Sequence, residues 1–243
     1  MKYFTAQWHR DTITAEMCFQ MRKDSKAGAF SEKLFTSLYE SQKNWYVKHL
    51  KRAAKHLKQP FDPKAAEAEY EANYKENLDY IRANLPAEIL NKVADHRVLA
   101  LGVAEYDVLM EITRFCGGVN HRCELVREEY EASLEALAEQ IGWLKINMLG
   151  KIANAPIASV SLADGRLTVV TSPEITEIAC TLTLSDADAN LPEWESLIGT
   201  VILYHELLDE GNGRYSLSLL CEKEDGSFLE ATAHMKDIEI EEC

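Results

Sequence analysis

The chain lacks a long apolar run. Its longest uninterrupted stretch, Val98 to Ala104, holds seven residues, one of them Gly102, whereas a membrane-spanning helix needs about 20. Behind Lys2 the N-terminus reads Tyr3-Phe4-Thr5-Ala6-Gln7-Trp8-His9-Arg10, with no apolar core of a secretory signal. The cytoplasm is therefore the expected compartment. No two of the six cysteines, Cys18, Cys116, Cys123, Cys180, Cys221 and Cys243, form a Cys-x-x-Cys pair. In a chain of 243 residues with an ordinary core, free buried thiols are expected rather than a disulfide framework. Gly-x-Gly-x-x-Gly, Walker A, Gly-x-Ser-x-Gly, His-Glu-x-x-His and EF-hand patterns are also absent, which removes the local-motif arguments for an activity without excluding catalysis.

Positive charge is scarce as well: 26 Lys and Arg stand against 40 Asp and Glu, a formal net of −14. That sign repels nucleic acid and anionic membranes, so neither is expected as a partner. The imbalance is uneven. Residues 1–60 carry a net +7, residues 61–150 a net −8 and residues 151–243 a net −13. Attraction between basic N-terminal helices and the acidic remainder is the simplest use of this asymmetry. With 47% apolar and 27% charged residues, the composition is that of a folded globular chain.

Helical periodicity dominates the first two-thirds. Ser31 to Gln59 predicts one long helix with an apolar face through Phe35, Leu38, Trp45, Leu50, Ala53 and Leu57, interrupted at Gln42 and stopped by Pro60. Asp62 and Pro63 are the N-cap and first position of the next helix. Its stripe runs Ala66, Tyr70, Tyr74, Leu78, Ile81 and Leu85, and Pro86 ends it. Two antiparallel helices joined by a short turn follow. Asp95 to Gly102 fits either a helix or a short buried strand. Glu105 to Cys116 predicts a shorter helix with Gly117-Gly118 as terminator. A seven-member stripe follows, Val119, Cys123, Val126, Tyr130, Leu134, Leu137 and Ile141, with Gly142 placed to end it.

From about Pro156 the period changes to two. Asp164-Gly165 predicts a hairpin between Ala158–Leu162 and Arg166–Thr171. Ile175 to Leu184 is a third strand, and Ser185 to Ser196 a loop. Gly199 to Leu208 and Arg214 to Glu222 flank Gly211-Asn212-Gly213, and Asp225-Gly226 turns into a last strand, Ser227 to Ile240. Strands this close together favour an antiparallel meander, with the acidic surplus on its solvent face.

Three groups of residues invite a chemical reading. Cys116, His121 and Cys123 offer zinc-type donors, but Cys123 belongs to an apolar stripe, so core thiols are the simpler expectation. His205-Glu206 are adjacent in a strand and should point to opposite faces. Lys43 to Lys58 forms a basic amphipathic run, of a kind that binds phosphate-rich surfaces in some proteins and is simply a solvated face in most.

The opening Met1-Lys2-Tyr3-Phe4-Thr5 with Trp8, the segment Asp95 to Gly102 (Asp-x-Arg-Val-x-Ala-Leu-Gly), Leu203-Tyr204-His205-Glu206 and Gly213-Arg214-Tyr215-Ser216-Leu217 resemble an uncharacterised bacterial domain-of-unknown-function family. The resemblance reaches over nearly the whole chain and implies a bacterial cytoplasmic protein without implying an activity. The expectation is an α+β fold, with a helical bundle over residues 1–150 and an antiparallel β domain over residues 151–243. Its expected function is a non-catalytic binding or protein-interaction module, for a protein or small ligand, using a sheet face or a helix–sheet groove. An enzyme of unknown class, with Cys116 to Cys123 as its candidate metal region, is the alternative. No catalytic, cofactor-binding or metal residue is assigned, and no cofactor is expected.

Overall fold

The structure, a computed structural model, describes residues 1–173 and 179–242. The fold is α+β, with a helical N-terminal region followed by antiparallel sheets. Contacts divide the chain into two compact units, one of Thr12–Asn120 and one of Met1–Asp11 with His121–Cys243. Residues 121–150 thus group with the strands, whereas the change of periodicity falls near residue 156. Both boundaries lie inside helices, α1 (Ala6–Glu16) and α6 (Tyr106–Ile141).

In the first unit, α2 (Glu32–Leu57) begins where the Ser31 side chain accepts from Leu34 N, and α3 (Pro63–Asn84) where Asp62 accepts from Lys64 N. These caps satisfy amide groups that would otherwise lack partners at a helix start. The two helices run antiparallel, joined by aromatic pairs in reversed order: Phe35 with Tyr74, Tyr39 with Tyr70 and Tyr74, and Tyr46 with Tyr70. The α3 stripe buries Ala66, Tyr70 and Ile81. The α2 stripe differs from its expected course. Trp45 and Leu57 are both 67% exposed, because Tyr39 and Tyr46 occupy the contact face instead. The Gln42 interruption lies on that face, where its amide donates to Leu101 O at 2.8 Å.

After the single turn α4 (Ala87–Leu90), the segment with two possible readings folds as α5 (His96–Ala100), capped by Asp95. Strand β1 (Arg22–Lys23) pairs in parallel with β2 (Val103–Ala104). Gly117-Gly118 does not terminate a helix. The 36 residues of α6 run straight through it, and neither glycine has a positive φ. Each glycine costs about 1 kcal/mol relative to alanine in a helix interior. Burial of Ile112, Cys116 and Val119 along one face, at roughly 1–3 kcal/mol per side chain, outweighs that cost.

In the second unit, Gly142 (φ +86°) separates α6 from α7 (Trp143–Leu149). One sheet has the order β10-β5-β4-β3 and the other β6-β9-β8-β7, all antiparallel. Their ranges are β3 (Ile157–Ala163), β4 (Arg166–Thr171), β5 (Cys180–Ser185), β6 (Asp188–Ala189), β7 (Val201–Gly211), β8 (Arg214–Glu222), β9 (Phe228–Met235) and β10 (Asp237–Glu242). The β3–β4 hairpin turns at Asp164 (φ +52°) and Gly165 (φ +70°), the left-handed pair that a type I′ turn requires. Leu167, Leu182 and Leu184 from one sheet share a core with Leu217, Leu219 and Met235 from the other.

Three expectations change here. The loop over Ser185 to Ser196 contains β6 and a short helix, α8 (Leu191–Glu195), whose Trp194 is fully buried with its indole N–H donating to Thr232 O. The last strand is two strands, broken at Lys236, with β9 in one sheet and β10 in the other. The third strand begins at Cys180; positions 175–178, like Cys243, lie outside the described residues. Acidic side chains such as Glu210, Glu224 and Glu239 do face solvent, but Glu206 is only 1% exposed.

Candidate functional site

The described residues of the helical unit enclose an open cleft of about 570 Å³, within the range of small-ligand sites. Its floor is the segment Ala100–Gly102, at the C-terminal end of α5. Side-chain amides hold that floor by its carbonyls: Asn77 Nδ2 donates to Ala100 O at 2.7 Å and Gln42 Nε2 to Leu101 O at 2.8 Å. Gly102 adopts φ +70°, and a Cβ there would sit 2.9 Å from Gln20 O. The close approach of two backbone segments at this point therefore requires glycine. Tyr80 Oη and Thr14 Oγ1, 2.8 Å apart, tie α3 to the end of α1.

Met17, Met21, Ile81 and Leu99 supply the apolar wall. Methionine thioethers adapt to irregular apolar shapes, so such a wall accommodates ligands of varied outline. Glu16 on α1 and Glu76 on α3 supply carboxylates, both exposed. The lining contains no Lys, Arg or His. Chemically, the cleft combines an apolar wall, a hydrogen-bonded floor and negative charge.

The residues singled out from the sequence are placed elsewhere. Cys116 and Cys123, seven positions apart on α6, are separated by about 10 Å of helix rise, and His121 projects from a different side of the same helix, exposed. Three ligands of one metal cannot be spaced in this way. The Cys116 thiol donates to Thr14 O, and burial together with neighbouring Cys18 pushes its pKa up to about 11. Burial raises the Cys123 thiol and pushes that of Cys221 up to about 12. These groups behave as buried thiols, not as thiolate donors. Among the described residues, no group of three or more His, Cys, Asp or Glu side chains is arranged to hold a metal ion.

His205 and Glu206 point to opposite faces of β7, as strand alternation requires. His205 lies opposite Leu219, a residue of the inter-sheet core. Its Nδ1 is shielded from solvent and has no hydrogen-bond partner among the described residues, and desolvation lowers its pKa to about 4. Glu206 faces the other way and accepts three backbone N–H groups, from Lys2 at 2.7 Å, Tyr3 at 2.6 Å and Phe4 at 2.5 Å. Phe4, Trp8 and Tyr204 pack together beside it. This carboxylate is occupied as a clamp on the chain's own backbone.

The polar lining residues Gln20, Asn73, Glu76 and Asn77 gave no sequence signal because they stand beside apolar stripes, whereas Ile81 and Leu99–Gly102 stood out only as members of an apolar stripe and an apolar run. Gln42 gave the one usable signal, as an amide interrupting a helical face. The basic run lies on α2, with Lys48, Lys51, Arg52, Lys55 and Lys58 all exposed. No helix among the described residues is long and apolar enough to cross a membrane. No family model matches the chain, and no match was found among the curated proteins or the solved structures.

Proposed function

We propose that the protein is a non-catalytic binding module, and that the cleft in its helical unit takes a small amphipathic ligand carrying an amine. One observation carries this reading: a cleft walled by Met17, Met21, Ile81 and Leu99 holds Glu16 and Glu76 with no cationic side chain in its lining. An ammonium group satisfies the carboxylates while its apolar body displaces water from the methionine wall. The chemically capable groups elsewhere are committed to the fold, Glu206 to backbone amides and Cys116 to a carbonyl, which supports binding over catalysis. The bacterial cytoplasm and membership of the uncharacterised family resembled by the Met1–Thr5 and Asp95–Gly102 segments belong to the same proposal.

Titration calorimetry with hexylamine, hexanol and hexanoate tests the ligand class. The amine should bind best. Replacing both Glu16 and Glu76 with Gln should weaken it by roughly three- to tenfold, since exposed charge pairs contribute only ~0–1 kcal/mol each. Equal binding of hexanoate, or an unchanged affinity in the double variant, would overturn the amine assignment. Absence of any amine binding would remove the cleft as the site.

A further inference from the structure

We infer that the exposed basic face of α2 is a docking surface for single-stranded nucleic acid. The sequence places six cations and no carboxylate between Glu40 and Asp62. One of the six, Lys43, is paired with Glu40 at 2.9 Å. The other five, Lys48, Lys51, Arg52, Lys55 and Lys58, are exposed, and none takes part in an ion pair among the described residues. At ~100° per residue they fall within about 120° of helix circumference and extend over ~15 Å of axis. A row of this kind matches successive phosphates along one strand.

The ordinary explanation for cations at a helix end is the macrodipole, which favours them in the last turn. It covers Lys55 and Lys58, but Lys48, Lys51 and Arg52 lie upstream of that turn, since α2 ends at Leu57. Among the described residues no carboxylate of α3 forms an ion pair with these five side chains. Glu69 accepts from Tyr46, on the side of α2 that packs against α3. Net charge also ceases to argue against a polyanion once it is divided between the units. Thr12–Asn120 contains 16 Lys and Arg against 15 Asp and Glu, a net of +1, so the remaining residues carry −15.

Trp45 and His49 decide between classes of polyanion. Their rings stack on each other at 5.3 Å and 14° along the edge of the basic face, and Trp45 is 67% exposed. Unpaired bases stack on such rings whatever their sequence. A bilayer would instead need a continuous apolar face to bury; Tyr39 and Tyr46 of α2 are engaged with α3, and its exposed Trp45 and Leu57 stand about 120° apart around the helix. The surface is separate from the cleft, because none of these residues lines it.

The test is fluorescence anisotropy of the full chain with a labelled mixed-sequence single-stranded RNA. Binding should weaken with salt, with a log–log slope no steeper than about −3.5, from ~0.7 per neutralised phosphate. A variant carrying Lys48→Gln, Lys51→Gln, Arg52→Gln and Lys55→Gln should bind at least ~10-fold more weakly with a thermal midpoint lowered only slightly, by the loss of Lys55 from the last turn, because all four side chains are exposed. Trp45→Ala should weaken binding at least ~5-fold without altering the salt slope. The inference is overturned by undetectable RNA binding at low salt or by equal affinity in the four-Gln variant. Equal binding of a duplex with no effect of Trp45→Ala also overturns it. So does binding to phosphatidylserine vesicles without binding to RNA, which would assign the face to a membrane.

Discussion

Replacing Glu206 with Gln isolates the buried clamp. In the native structure Oε1 accepts from Tyr3 and Phe4 N–H while Oε2 accepts from Lys2 N–H. A glutamine can keep its carbonyl oxygen at the Oε1 position, but its NH₂ then faces the Lys2 N–H, donor against donor. Three charge-assisted bonds, each contributing ~1.5–3 kcal/mol, become two neutral ones of ~0.5–1.5 kcal/mol with one amide left unmatched. The loss is limited by an escape route, in which the segment peels away and hydrates its own amides. Peeling exposes Tyr3, Phe4 and Trp8, each less than a tenth exposed in the fold. That costs ~1.5–3 kcal/mol per side chain and is partly offset by regained chain entropy. The expected destabilisation is therefore roughly 2–4 kcal/mol, read as a lower urea midpoint. Hydrogen exchange should show the Tyr3 and Phe4 amides losing protection before the strands do. A Glu206→Gln protein within ~0.5 kcal/mol of wild type, with those amides still protected, would refute the reasoning.

Other outcomes follow from single side chains. His205 is neutral in the fold, with its pKa lowered to about 4 by desolvation, whereas an unfolded histidine takes a proton near pH ~6.5. Between those values the unfolded state binds more protons, so stability should fall by roughly 2–4 kcal/mol as the pH drops through that window. Urea titrations of His205→Leu should lack this component, and an unchanged pH dependence would show that His205 is not its source. Gly102→Ala should cost at least ~1–3 kcal/mol because of the positive φ and the 2.9 Å approach to Gln20 O. Gly117→Ala, helical and with open space around its Cβ, should stabilise by ~0.5–1 kcal/mol; thermal midpoints moving in the same direction would contradict this pair. Cys123→Asp places a carboxylate where the side chain is 3% exposed and should lower the thermal midpoint strongly, by several kcal/mol equivalent. A midpoint near wild type would contradict the burial of that helix face.

Local chemistry made much of the architecture legible. Ser31 and Asp62 with Pro63 are residues whose own side chains or rings begin a helix, and each does so here, whereas the two readings of Asp95 to Gly102 were separated only by the fold. Asp164-Gly165 accepts the left-handed backbone of a tight hairpin, and it forms one. The buried positions Ala66, Tyr70 and Ile81 of α3 follow from a 3.6-residue period, which needs no knowledge of what the helix packs against. Asp95 to Gly102 aside, the determining interaction in these cases spans only a few residues.

Tertiary structure decided the rest, because the deciding partners are far away in the chain. Gly117-Gly118 stays helical through the burial of its neighbours, so a local stop signal is overridden. Lys236 divides one alternating run into β9 and β10 because two different sheets complete their ladders with the two halves. Trp45 leaves the packed face of α2 because Tyr39 and Tyr46 meet Tyr70 and Tyr74 first. Glu206 is unremarkable among 40 acidic residues until residues 2–4 arrive beside it, more than 200 positions away in sequence. The cleft likewise exists only where Gln20, Gln42 and Asn77, from three separate segments, converge on the Ala100–Gly102 backbone. Periodicity and capping are written into neighbouring residues. Which carboxylate is buried, and where space is left open, depend on contacts formed only when the chain has folded.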